Sequence, residues 1–330
     1  MRARSLFGFI PFLLGMGIFG WLVFDTPAQG SVSALDKAAS LALPAPIWLP
    51  WASRDAGGQL LAINEYRRTA GLPALLEAAD DSAGAAQHAR YMVKTDQLVD
   101  REDRLAYPEW YSDEGNLAAQ SSLLIISDTV AFTDRQAVDF WLRSPFQALS
   151  LLDPELRQTG FGSYREADGG WQMAAALNVR RGWQSGAPAG VAFPVLWPGA
   201  GTTIALRTYS GQDYPDPLAA PYCQPGFRGL PVIAQFGDGA HRVRLAAASP
   251  TLLTASGGPL PHCAFSETEY PANPNDGNYG QILLDTRDAV VLMPQYPLEP
   301  GGTYTVTVNV LVDDVPATHT WSFSVAADAP

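Results

Sequence analysis

Four histidines, two cysteines and a loop of carboxylates and aromatics are the residues of this chain best suited to chemistry. His88, His241, His262 and His319 are scattered and share no metal-ligand spacing. Cys223 and Cys263 make no zinc motif, although His262 adjoins Cys263, so no metal site is expected from these residues. In an oxidising compartment the default use of two cysteines is a pair. Closing a loop of roughly 40 residues would contribute about 3–4 kcal/mol in the chain-entropy model, less any strain. Two unpaired buried thiols are the other reading. Glu102 and Asp103 stand side by side in the loop 100–116. A glycosidase dyad needs a fixed separation across a cleft, so this pair reads as solvated loop. Tyr107, Trp110 and Tyr111 could stack on a sugar or a lipid, or cover the core. Ser121 and Ser144 lack a Gly-x-Ser-x-Gly setting, and no Gly-x-Gly-x-x-Gly follows a strand.

The compartment follows from the N-terminus. Arg2 and Arg4 precede an uncharged run from Ser5 to Phe24, and Asp25 follows it. About 20 apolar residues rising ~1.5 Å each cross a ~30 Å hydrocarbon core. The charge order keeps the N-terminus in the cytoplasm and exports the rest. Small residues at Ala28, Gly30, Ser33 and Ala34 also permit cleavage, so residues 1–30 read as a signal peptide or an N-terminal membrane anchor. The expected location is secreted or membrane-anchored, on the extracytoplasmic side, with the N-terminal segment as the membrane contact. A net charge of −12 and no cluster of Lys and Arg exclude a nucleic-acid partner.

Several elements must position these residues. Pro44, Pro46 and Pro50 make residues 31–56 a linker. A first helix fits from about residue 57 to Ala70, with Leu60, Leu61, Ile63, Asn64 and Tyr66 on one face and Gly71-Leu72-Pro73 after it. A second fits Ser82 to Gln97, capped by Asp80, Asp81 and Ser82. A third begins at Thr133, with Gln136 placed for a capping box and Ala137, Phe140 and Trp141 inward; Ser144-Pro145 closes it. Phe161–Tyr164 and Trp171–Asn178 alternate as strands across Asp168-Gly169-Gly170. This helical half predicts α+β. After Gly182 short β-rich runs alternate with Gly/Pro turns, at 202–207, 231–235, 243–246, 290–292, 304–312 and 319–325. Regular turns and no helix-period segment predict an antiparallel β-sandwich.

The helical half resembles the CAP superfamily of cysteine-rich secretory, antigen 5 and pathogenesis-related 1 proteins, in its bacterial form. The resemblance rests on Asn64-Glu65-Tyr66-Arg67 with Gly71-Leu72-Pro73, on Ala86 to Met92, on Glu114-Gly115-Asn116-Leu117 and on Ala137-Val138 to Trp141-Leu142. Ser144-Pro145-Phe146, Leu151-Leu152-Asp153-Pro154 and Gly160-Phe161-Gly162 complete it. It implies an α-β-α sandwich with a central cleft over residues 57–185. The stretch around Pro300-Gly301 and Thr303-Tyr304-Thr305 is similar to bacterial Ig-like modules, which implies an all-β Ig-like sandwich over residues 190–330.

Members of that superfamily often line the cleft with two histidines and two acidic residues that can hold a divalent metal. By the resemblance, Asp100 stands at the first histidine position and Gln147 at the second. Gly115 takes the place of the acidic residue before Asn116, with Glu114 displaced by one. Glutamine is a poor zinc ligand, so no cofactor is expected, and His88, mid-helix in the matching segment, is a packing residue with a structural hydrogen bond. Asp100, Glu114 and Gln147 are the candidate cleft positions, and none is a firm catalytic residue. The expectation is a non-catalytic protein that binds a cell-envelope or extracellular ligand. The alternatives are a hydrolase of envelope material acting through Asp100, Glu102 or Glu114, and a lipid or sterol carrier.

Overall fold

The computed structural model describes residues 56–246 and 251–330, all within one compact unit. The expected leader, and the linker up to residue 55, lie outside the described residues. Among those described, no helix is long and apolar enough to cross a membrane.

The helical part runs α1 (Ala56–Thr69), β1 (Leu76–Glu77), α2 (Ala79–Thr95), α3 (Asp113–Ser121), β2 (Ser122–Ser127), α4 (Asp134–Leu142), α5 (Pro145–Leu151), β3 (Gln158–Thr159), β4 (Phe161–Arg165) and β5 (Met173–Asn178). β2, β5 and β4 form an antiparallel sheet in that order, and β1 pairs with β3 in parallel. Period-two alternation divides the larger sheet's side chains between two layers. Leu124, Ile126 and Ala174 pack against Ala89, Met92 and Val93 of α2. Leu123, Ile125, Met173, Ala175 and Leu177 join the main core with Ile63 of α1 and Trp141 of α4. The sheet is therefore covered by helix on both faces, as an α-β-α arrangement requires.

Local chemistry explains most boundaries. Thr133 and Gln136 make the expected capping box of α4. Ala137 and Trp141 are buried and Phe140 half-buried. α4 ends at Leu142, before Ser144-Pro145 as expected, and Pro145 then opens α5 at its first turn, where its missing N–H costs no hydrogen bond. The expected cap of α2 is corrected: Ala78 occupies the cap position without a side-chain bond, while Asp80 and Asp81 lie in the first turn, facing the positive end of the helix dipole. Leu61 is exposed rather than inward.

The β part contains β6 (Val195–Trp197), β7 (Thr203–Ile204), β8 (Val232–Gln235), β9 (Val243–Leu245), β10 (Thr251–Ala255), β11 (Gly258–Pro259), β12 (His262–Phe265), α6 (Tyr279–Asp285), β13 (Ala289–Pro294), β14 (Thr303–Val312) and β15 (Val315–Val325). One sheet has the order β12-β13-β8-β6; the other runs β11-β10-β14-β15-β7, with β9 also on β14. Tyr304, Val306, Val308 and Val310 point inward along β14. Asp313 and Asp314 both take positive φ, 49° and 67°, the backbone of a two-residue turn that matches strand twist. Two expectations are corrected. The short α6 interrupts the strands, and β7 pairs with β15 in parallel.

Cys223 and Cys263 are joined in a disulfide, with Cα atoms 5.2 Å apart, tying the 220s turn to β12. One hydrophobic core runs through both parts. At their seam Tyr66 meets Trp197 edge-on at 5.5 Å. Gln235 Nε2 donates to Leu152 O at 3.0 Å, and Arg287 pairs with buried Asp153 at 2.8 Å.

Candidate functional site

The motifs at the head of the helical part build scaffold. Asn64 bridges to Leu75 twice, donating to its carbonyl at 3.1 Å and accepting from its N–H at 2.7 Å. The fully buried Arg67 donates to the carbonyls of Pro73, Leu151, Asp153 and Leu156. Burial pushes its guanidinium down to about 10. Gly160 and Gly162 lie against the backbone of α2: a Cβ at Gly162 would sit 2.0 Å from Ala86 N. A side chain there would push helix and sheet apart.

The polar centre of this part is a buried pair. His88 on α2 and Glu102 from the loop 97–112 have fully buried side chains, with Nδ1 and Oε1 3.0 Å apart. Glu102 is therefore not a solvated loop residue, which corrects the sequence expectation. Its Oε2 accepts from Ser112 N at 2.9 Å, and its own N–H donates to Asn116 Oδ1 at 3.0 Å. His88 Nε2 lies 2.9 Å from Val99 O. A carbonyl only accepts, so Nε2 carries a proton. With Oε2 taken by an N–H, one further proton lies between Nδ1 and Oε1. Imidazolium with carboxylate, or imidazole with carboxylic acid, both satisfy the set.

Neighbours lock this arrangement. Ser112 Oγ caps α3 by accepting from Gly115 N at 2.9 Å. The Tyr91 ring lies parallel to the His88 ring at 6.1 Å, and its hydroxyl accepts from Asp103 N at 2.9 Å. Gly115 is what makes room: a Cβ there would stand 2.4 Å from Glu102 Oε1 and 2.6 Å from Ser112 Oγ. The Glu102 carboxylate thus fills space that a side chain at position 115 would need.

The cleft candidates are placed apart from this pair. Asp100 is exposed, as is Glu114 in the first turn of α3. Gln147 is half-buried on α5, and its Oε1 is buried without a hydrogen-bond partner. Among the described residues no hydrogen bond or ion pair joins any two of the three. Tyr107, Trp110 and Tyr111 lie half-buried along α2 and the loop. Tyr107 packs edge-on to Tyr91 at 5.9 Å and accepts from Gln97 Nε2 at 3.0 Å. Arg90 lies 4.7 Å from the Trp110 ring centre and Arg104 5.4 Å from that of Tyr111. All three aromatics thus have partners within the protein.

The remaining histidines lie in the β part. His241 pairs with Asp313 at 2.9 Å, His262 contacts Thr251 Oγ1 and Leu260 O, and His319 packs on Phe236. Among the described residues no three His, Cys, Asp or Glu side chains converge as metal ligands. The arrangement around His88 holds a loop; it exposes neither an imidazole nitrogen nor a nucleophile. Sequence reasoning named Glu102 only as a solvated loop residue and as one acid of the hydrolase alternative; what it missed is the pairing with His88, and the signal available was Gly115, whose Cβ would stand where the Glu102 carboxylate lies.

No curated protein matches this chain. Residues 60–173, from α1 to the start of β5, match the family model of CAP, the cysteine-rich secretory protein family.

Proposed function

We propose that the chain works outside the cytoplasm as a non-catalytic binding or interaction protein of the cell surface. In this reading a bacterial-type CAP domain spans about residues 57–185, an Ig-like sandwich spans about 190–330, and the leader delivers or anchors both. The Cys223–Cys263 disulfide fits an oxidising compartment. The observation that carries the reading is His88. It is the one histidine between residues 57 and 185, and both its ring nitrogens are engaged, by Glu102 and by Val99. A metal ligand needs a free nitrogen lone pair. Asp100 and Glu114 are exposed and unjoined, which does not favour a paired acid and base.

Equilibrium dialysis of the full chain against Zn²⁺ tests this reading, with the expectation of no stoichiometric retention; one tightly held ion per chain would reject it. Assays on envelope material complete the test. Hydrolysis that disappears in Asp100→Asn or Glu114→Gln would establish the hydrolase alternative instead.

A further inference from the structure

Residues 207–216 of the β part lie as a strap across the junction of α4 and α5. The two ends of the strap are anchored within the β part. Arg207 O accepts from Leu230 N at 3.0 Å, Tyr209 N donates to Arg228 O at 2.9 Å, and Tyr270 Oη donates to Asp216 O at 2.8 Å. Its middle is fastened to the helical part instead. Ser210 N donates to Arg143 O at 3.1 Å, and Ser144 Oγ lies 2.5 Å from Ser210 Oγ and 3.0 Å from Gln212 O. Asp213 Oδ2 accepts from Phe146 N, in the first turn of α5, at 2.9 Å. Between Tyr209 and Pro215, both buried, the strap buries no apolar side chain, and Gly211, Gln212 and Tyr214 are exposed. Hydrogen bonds hold that stretch down, the pattern of a segment that opens locally.

One of these fastenings is a titratable group. Asp213 Oδ1 is buried without a donor. So are Gln147 Oε1, next to Phe146, and Asn278 Oδ1, on the wall of an adjoining cavity of about 210 Å³ between residues 213–219 and 270–280. This corner is short of donors, and a proton on Asp213 supplies one. A negative charge there meets no free cation. α5 carries no titratable residue, and the guanidinium groups of Arg143 and Arg287 are engaged by Thr208 and Asp153. The other ionisable groups about the carboxyl are Asp216, Asp276, Tyr209, Tyr214, Tyr270 and Tyr279. Burial raises Tyr209 and Tyr270, which stay neutral. A buried carboxylate without a countercharge is costly. We propose that residues 207–216 are a proton-dependent strap: with the Asp213 carboxyl neutral it lies on the α4–α5 junction, and ionisation lifts residues 210–214 while both ends stay anchored. Lifting uncovers Ser144 and the first turn of α5, where Gln147 stands. Burial pushes the carboxyl up to about 8, against Phe146 N and Tyr214 N, with Asp216 adding repulsion. In the lifted strap it titrates near its ordinary 3.8. The closing effect is therefore complete below about pH 4, falls by up to about tenfold per pH unit, and levels off above about pH 8. The strap is separate from His88, and its failure would leave the reading of the helical part in place.

Amide hydrogen exchange followed by NMR on the full, disulfide-bonded chain tests this between pH 5 and 9, with rates taken relative to those of an unstructured peptide. The probes are Ser210 N and Phe146 N, whose partners are Arg143 O and Asp213 Oδ2, and the amides of the β14–β15 hairpin serve as the reference. The two probes are expected to be at least about tenfold less protected than the hairpin, and to lose at least about tenfold in protection together between pH 5 and 8. Asp213→Asn, which keeps an acceptor for Phe146 N and cannot ionise, is expected to abolish that pH dependence. Ser210→Ala removes a hydroxyl contact but leaves the carboxyl, so it is expected to lower protection and keep the wild-type slope. The proposal is overturned if the two probes are as protected as the hairpin, if their protection does not change with pH, if Asp213→Asn keeps the slope, or if Ser210→Ala loses it. The wild-type comparison decides the matter even if a variant fails to fold.

Discussion

The two regions rich in buried polar atoms treat them in opposite ways. Around His88 every polar atom of the pair has a partner: both ring nitrogens, both oxygens of Glu102 and the Glu102 N–H. At the cavity by α5, Asp213 Oδ1 and Asn278 Oδ1 have none. A closed set fixes conformation, because any change leaves a buried charge or donor exposed to a low dielectric. A buried acceptor without a partner instead leaves its desolvation uncompensated. Of the residues noticed in the sequence, His88 and Glu102 belong to the closed set and Gln147 has a buried Oε1 without a partner, whereas Asp213 and Asn278 drew no notice there.

Substitutions test that contrast. The largest expected effect is at the closed site: Glu102→Ala leaves His88 and Ser112 N without their partner and should cost about 3–5 kcal/mol in chemical denaturation. A loss below about 1 kcal/mol would mean that the pair is not the clasp described. In the β part, Cys223→Ser with Cys263→Ser should cost about 3–4 kcal/mol, since the bridge spans 40 residues of sequence separation. Gly115→Ala should destabilise by about 1–3 kcal/mol, because its Cβ would meet Glu102 Oε1. The double variant Gly115→Ala/Glu102→Ala should then lose less than the sum of the single changes.

The site at Asp213 is read through pH, as a slope. The Asp213 carboxyl rises from an unfolded value of 3.8 to about 8, chiefly by burial, with Asp216 nearby adding repulsion and Phe146 N and Tyr214 N opposing. Glu267 is also raised, by burial and by Asp285 and Asp288, with Arg242 opposing. Groups raised on folding bind protons more tightly in the folded state. Their contribution is complete below the unfolded value and is lost as pH climbs through the folded one. Asp213 therefore adds a decline of up to about 1.4 kcal/mol per pH unit between roughly pH 4 and 8. Asp213→Asn should flatten the stability profile in that window, and an unchanged slope would show that the carboxyl titrates normally.

Much of the scaffold was legible because local patterns specify it. The alternation of Thr303–Val310 with Asp313-Asp314 defines the hairpin β14–β15, and Thr133 with Gln136 marks the start of α4. α3 and β2 were hidden because Asp113, Glu114, Gly115 and Asn116 have turn chemistry, and the cap that turns them into helix is Ser112, inside what reads as loop. α6 was hidden because seven residues with a glycine at the second position show no helical period. The candidate site was less legible still. Glu102 reaches His88 and Asn116 across 14 residues and Ser112 across 10, and no local period reports such contacts. The cavity joins segments some 60 residues apart, Tyr214 to Asp276 among them.

The central claim is that His88 has no nitrogen to offer. Its ring can be watched directly by ¹⁵N-detected imidazole NMR on the full chain, with and without Zn²⁺. The account predicts a protonated Nε2, a shared proton at Nδ1 and no change in either signal as zinc is added. A His88 nitrogen that loses its proton and shifts with one equivalent of zinc would contradict it.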